Sequence, residues 1–212
     1  MKLCLGQIIG SVKEEIFWEK TLVAMDGCFD GGVIRLVNNI TDYAAARNAV
    51  IKQAEAEEYT HILFLDADEC MFPEDIKKIR AKLEEHEALM LPRYELGPDT
   101  NYYNPIVYPD YQGRAFKLGV GYEYRGPIHE ILYKKNEEKC VWENAGFEAS
   151  DDTPIYHYGR CKTPESIWLR YHNYGRIQQG LERLDKIPEG TEIDISPNFK
   201  DVVKFEKDKP IN

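Results

Sequence analysis

The stretch His61-Ile62-Leu63-Phe64-Leu65-Asp66-Ala67-Asp68-Glu69 decides how this chain is read. An apolar run of this length reads as a buried parallel strand. In open α/β sheets, ligands bind just beyond the carboxyl ends of such strands. Here three carboxylates follow the run within four positions. In an extended segment, Asp66 and Asp68 point to the same side because they lie two apart. Two like charges so placed ask for a cation between them. A hard divalent ion prefers oxygen ligands and keeps positions open for phosphate oxygens. The alternative is a strand closed by an acidic turn, since Asp favours turns.

Outward from that strand, the pattern alternates. Residues 3–9 read as a strand and residues 13–25 as a helix, followed by a glycine-rich turn over 27–32 and a second strand over 33–37. Thr41 or Asp42 suits the N-cap of a helix over 43–58, where Ala46, Ala49, Val50, Gln53 and Ala54 make a narrow face for packing on a sheet. Beyond the motif, Pro73 opens a helix with Glu74 and Asp75 in its first turn and Ile76, Ile79 and Leu83 as its buried stripe. A further strand spans 88–93. Alternation of this kind predicts an α/β fold with a parallel, doubly wound sheet. Residues 94–160 are rich in Tyr, Gly and Pro and read as loops with short antiparallel strands. Thr163-Pro164-Glu165 starts a helix to about Leu184, and the polar, proline-containing stretch 186–212 reads as a loosely held tail.

The totals bound the function. The 212 residues suit one domain, 1–185, with the tail appended. The net charge of −10, from 37 acidic and 27 basic residues, argues against a general nucleic-acid binder. An anionic ligand stays possible because a bound metal inverts the local field. The five cysteines are scattered and odd in number, without zinc-ribbon spacing, which fits a reducing cytoplasm. The apolar stretch after Met1 is too short for a signal peptide. No segment approaches the roughly 18–20 apolar residues of a membrane span.

Four short segments carry a resemblance: Ala45-Ala46-Arg47-Asn48, Asp66-Ala67-Asp68-Glu69, Gly126-Pro127-Ile128-His129-Glu130 and Pro154-Ile155-Tyr156-His157-Tyr158-Gly159. Arg114-Ala115-Phe116-Lys117 adds to it. In order and spacing, over about residues 40–175, they resemble the family 2 glycosyltransferases. The nearest look is the subgroup whose metal motif is followed by Glu and whose acceptor segment carries Gly-x-x-His-Glu. The resemblance implies a GT-A fold, a mostly parallel Rossmann-like sheet flanked by helices. Residues 1–93 would form the nucleotide-sugar half, and 94–160 a loop-rich antiparallel acceptor side followed by a C-terminal helix.

The activity so implied is a metal-assisted transfer, with inversion, from a nucleotide diphospho-sugar to an acceptor. Mn²⁺ or Mg²⁺ would sit on Asp68, with Asp66 near the ribose or metal and His157 as a late ligand; it would stabilise the departing diphosphate as a Lewis acid. Arg47 would bridge Asp66 or a phosphate oxygen, while Asn48 reads as structural. Glu130 is the candidate general base, with Asp110 its rival. His129 would orient the acceptor or serve as an alternative ligand. The tyrosines at 94, 102, 103, 108, 111, 122 and 124 suit either a sugar-stacking groove or the core.

The nucleobase side departs from the family pattern. Members begin with a strand ending in Asn-Glu or a similar pair, and Gln7-Ile8-Ile9-Gly10-Ser11 and residues 26–39 fit this loosely. Asp26 and Asp30 are open for the base contact. Two other functions stay in view. A phosphatase or phosphotransferase of the haloacid type also carries Asp-x-Asp after an apolar strand. It wants that motif on the first strand with Thr or Val two residues later, where this chain has Cys70. A catalytically inactive sugar- or nucleotide-binding module is the third reading.

Overall fold

The computed structural model describes residues 1–9, 15–37, 40–143, 148–195, 199–207 and 210. The expected turn at Gly10-Ser11, the helix start at Lys13 and the end of the loosely fitting 26–39 segment lie outside them. In chain order the first half holds β1 (Leu3–Ile9), α1 (Glu15–Ala24), β2 (Val33–Val37), α2 (Tyr43–Ala56), β3 (His61–Phe64), β4 (Glu69–Cys70), α3 (Pro73–Lys82) and β5 (Ala88–Glu95). The second half holds β6 (Tyr102–Tyr103), β7 (Asp110–Lys117), β8 (Tyr122–Arg125), β9 (Ile131–Lys134), β10 (Glu148–Ala149), β11 (Ile155–His157), α4 (Pro164–Gln178) and β12 (Val203–Lys204).

The main sheet runs β2-β1-β3-β7-β5-β11-β4, with β10 also on β5. β1 pairs in parallel with β2 and β3, and β5 with β10 and β11. β7 enters between β3 and β5 antiparallel to both. The sheet is therefore mostly parallel, as expected, with two strands running against the rest: β7, and the short edge strand β4, which pairs antiparallel with β11.

Burial on both faces follows from the period of two along each strand. Leu3, Leu5, Leu63 and Leu65 join the cluster under α3, with Ile76, Ile79 and Leu83. Cys4, Ile8, Ile62 and Phe64 face the other way, onto Ala46, Val50 and Ala54 of α2. Burying each such Leu, Ile or Phe contributes about 1.5–3 kcal/mol. Gly6 permits this packing: a Cβ there would lie 2.7 Å from Ile62 Cδ1 and 2.8 Å from Phe64 Cε1.

The helix caps form where the sequence places them. Asp42 accepts from Ala45 N at 2.8 Å to start α2, and Thr163 accepts from Ser166 N at 3.3 Å to start α4. α4 stops at Gln178 rather than Leu184, because Gly180 takes a φ of 69° and reverses the chain. At the far end, β12 pairs with β6, Phe205 buries itself against Tyr94, Tyr103 and Tyr156, and Lys207 Nζ donates to Tyr94 Oη at 2.7 Å. All five cysteines are free thiols. Among the described residues no helix is long and apolar enough to cross a membrane.

Candidate active site

A cleft of about 760 Å³ opens at the carboxyl ends of β3, β5 and β11 and is walled by α2, the 126–132 loop and α4. Arg47, Asp66, Arg93, Glu95, Asp110, Arg114, Glu130, His157, Arg160 and Arg170 all line it.

The motif loop does not stay extended. β3 ends at Phe64, and Glu69 N donates to Asp66 O at 2.9 Å, closing a turn. The expectation that Asp66 and Asp68 share a side is thereby corrected: a turn cancels the strand's alternation, and the carboxylates meet different partners. Asp66 accepts from Arg47 Nη2 at 2.7 Å and Arg114 Nη2 at 3.0 Å. Asp68 accepts from Lys162 Nζ at 2.7 Å and faces His157 Nε2 at 3.4 Å and Arg170 Nη1 at 3.6 Å. Burial alone would favour the neutral acids. The Arg114 and Arg47 guanidiniums nonetheless hold Asp66 well below the usual carboxylate range, as the Lys162 and His157 charges do Asp68.

One continuous alternation of charge crosses the cleft floor. Asp110 accepts from Arg93 at 2.6 Å, Arg93 donates to Glu69 at 3.0 Å, and Arg114 bridges Glu69 at 3.2 Å to Asp66. Arg47 closes it, donating Nη2 to Asp66 and Nε to Glu130 at 2.6 Å. Glu69, fully buried, also accepts from Asp66 N at 2.8 Å and so fixes the turn.

Arg47 is 1% exposed and its guanidinium lies 5.3 Å from both the Phe64 and Tyr124 rings. Its Nη1 is buried with no hydrogen-bond partner. Asn48 exchanges two 2.8 Å bonds with the Tyr124 backbone and locks α2 to β8, the structural part expected of it. Tyr43 N donates to Pro127 O at 2.9 Å, tying the loop that carries Glu130 to the start of α2.

His157 sits at the end of β11 between two carboxylates. Nδ1 meets Glu95 in a short contact and Nε2 faces Asp68. Burial would lower its pKa, but Glu95 and Asp68 together raise it to about 9. The structure thus brings Arg47, Asp66 and Glu130 into one group and Asp68 and His157 into another. Asp110 lies at the far end of the charge chain. His129 stands exposed on the rim at φ 54°, its ring 6.0 Å from Tyr174, and joins neither group. Asp30 is placed away from the cleft, accepting from Leu3 N at 2.7 Å and pairing with Arg80.

Sequence reading missed Arg93, Glu95, Arg160, Lys162 and Arg170 as members of the site, and saw in Arg114 only supporting context. Their one available signal was position, since Arg93 and Glu95 end a strand and Arg170 shares the inward stripe of α4 with Ile167 and Tyr174.

Residues 21–143, more than half of the 212, match the glycosyl transferase family 2 profile. The chain belongs to that family. A nucleotide-sugar donor and an acceptor follow from membership, and divalent metals are common among its enzymes. No curated protein matches the sequence. Among solved structures, this family 2 chain is similar to A197 from STIV at 16% identity and a TM-score of 0.41, over 74% of this chain and 85% of that one.

Proposed function

We propose that the cleft moves a glycosyl group from a nucleotide diphospho-sugar to an acceptor hydroxyl with inversion, and that Glu130 is the general base. The observation carrying this reading is the Arg47 guanidinium, which holds Asp66 of the motif and Glu130 of the acceptor loop at 2.7 and 2.6 Å. Donor end and base are thereby fixed relative to each other before substrates arrive, which is what an in-line displacement demands. As the acceptor oxygen attacks the anomeric carbon, its proton passes to Glu130 and the diphosphate departs with the bonding pair. Asp110, the rival base, is pinned by two bonds from Arg93 and one from Gln112. Asp66, held by two guanidiniums, is poorly placed to attack phosphorus, which weighs against the phosphatase reading.

A divalent ion suits one edge of this site. Asp68 Oδ1 and His157 Nε2 are 3.4 Å apart, and His157 presents its other nitrogen to Glu95, the arrangement that orients metal-ligating histidines. Among the described residues no group of three or more His, Cys, Asp or Glu is arranged to hold a metal. Asp68 and, once its imidazolium gives up the Nε2 proton, His157 would hold Mn²⁺ or Mg²⁺ together with donor phosphate oxygens, and the ion would supply Lewis-acid stabilisation of the leaving diphosphate. Tyr43, tied through its backbone to the loop that carries Glu130, would receive the acceptor.

The test begins with thermal shift across nucleotide diphosphates and their sugars, with and without Mn²⁺. A ligand at a hundredfold its dissociation constant adds about 2.7 kcal/mol of stability. With the donor so found, Glu130→Gln is expected to keep the shift and lose transfer. Normal turnover by that variant would remove Glu130 from the mechanism.

A further inference from the structure

The cleft is electrically lopsided, and the sequence motifs supply none of the arginine and lysine cations on one side of it. On the motif side, Arg47, Arg93 and Arg114 face Asp66, Glu69, Asp110 and Glu130, three cations against four carboxylates. On the opposite side, residues 160–170 bring Arg160 and Arg170 into the cleft lining and set Lys162 beside it on Asp68, so that three cations meet two carboxylates. Arg160 Nε lies 3.4 Å from Glu95, Lys162 Nζ 2.7 Å from Asp68 and Arg170 Nη1 3.6 Å from Asp68. The excess there is positive without counting His157, in a chain whose net charge is −10.

The convergence is built. Tyr158 N donates to Asp68 O at 2.8 Å and anchors the segment to the motif loop. Gly159 leaves the room: a Cβ there would collide with Arg170 Nη1 and His157 Nε2. Arg170 is steadied by Nε donation to Tyr174 Oη at 3.0 Å. Arg160 and Arg170 line the cleft.

The geometry points to Arg160, Lys162 and Arg170 as a diphosphate-binding wall, able to hold the donor's leaving group by charge-assisted hydrogen bonds in its own right. Departing diphosphate gains negative charge while the anomeric carbon turns positive. The lopsided cleft matches that separation, with the leaving group toward α4 and the sugar carbon toward Asp66 and Glu130. Asp68 holds Lys162 and Arg170 in place until a phosphate takes them. This deepens the transferase reading and rests on it.

Inorganic pyrophosphate tests the wall without knowledge of the base or sugar. Its affinity is measured by calorimetry on the full chain in EDTA, with melting curves to confirm that each variant is folded. Wild type is expected to bind. Lys162→Met and Arg170→Met should each weaken binding tenfold or more, while Lys134→Met, on the exposed pair with Glu87, should not. Should Arg170→Met fail to fold, Arg170→Lys beside Lys162→Met carries the comparison, the first keeping affinity and the second losing it. Affinities within twofold of wild type in both Met variants would overturn the assignment. So would wild-type binding that appears only with Mn²⁺. Either result leaves the transferase reading standing, whereas transfer by Glu130→Gln would remove the base and leave pyrophosphate binding as it is.

Discussion

Replacing Arg47 by Met keeps most of the side-chain length and removes one buried charge that two carboxylates share. Both ion pairs are short, 2.7 Å to Asp66 and 2.6 Å to Glu130, and the Arg47 side chain is 2% exposed. Asp66 keeps Arg114, but Glu130 loses the one cation paired with it among the described residues. Removing one partner of a buried pair costs about 3–5 kcal/mol, since the other charge is left uncompensated. At about 2–4 °C per kcal/mol for a domain of this size, the melting temperature should fall by roughly 6–20 °C. The mechanism is checked by a cycle with Glu130→Gln. Once Glu130 is neutral, part of the Arg47→Met penalty has no cause, so the double variant should be more stable than the summed losses by about 0.5–3 kcal/mol. Thermal and urea unfolding of the four proteins measures this. Additivity within about 0.5 kcal/mol would refute the claim that Arg47 binds the two carboxylates into one unit.

Two other perturbations reach different parts of the fold. Phe205→Ala removes the ring packed 4.9 Å from Tyr94 and 5.4 Å from Tyr103, a loss of up to about 3–5 kcal/mol. Because β12 adds only two residues of pairing, the segment is expected to undock and cap the loss, so protease cleavage should appear near residue 200; an unchanged melting temperature and digest would contradict this. His157, raised from 6.5 to about 9 against the pull of burial by Glu95 and Asp68, stabilises the fold most fully below pH 6.5 and loses that contribution as pH rises through 9. Wild-type melting should therefore decline over pH 6.5–9 and His157→Gln should flatten the slope, so equal slopes would count against the charged imidazole.

What was legible in the sequence follows from the range over which each signal acts. The strands under the site were readable because burial on both faces leaves an unbroken apolar run, as in residues 62–65. Caps were readable because Asp42 and Thr163 each bond a backbone group three residues on. The partners of the carboxylates were not. Asp66 meets Arg114 across 48 positions and Asp68 meets Lys162 across 94, and no local pattern distinguishes those cations from solvated ones. The antiparallel entry of β7 is the deeper reason. Sheet order is set by which strand fills the space between β3 and β5, a choice made by the whole core. With β7 there, Arg114 stands between Asp66 and Glu69 and Asp110 stands beside Arg93. A strand from the second half of the chain thus supplies the charges that hold the motif turn of the first half. The two halves share one electrostatic floor, and a change on either side of the cleft is felt on the other.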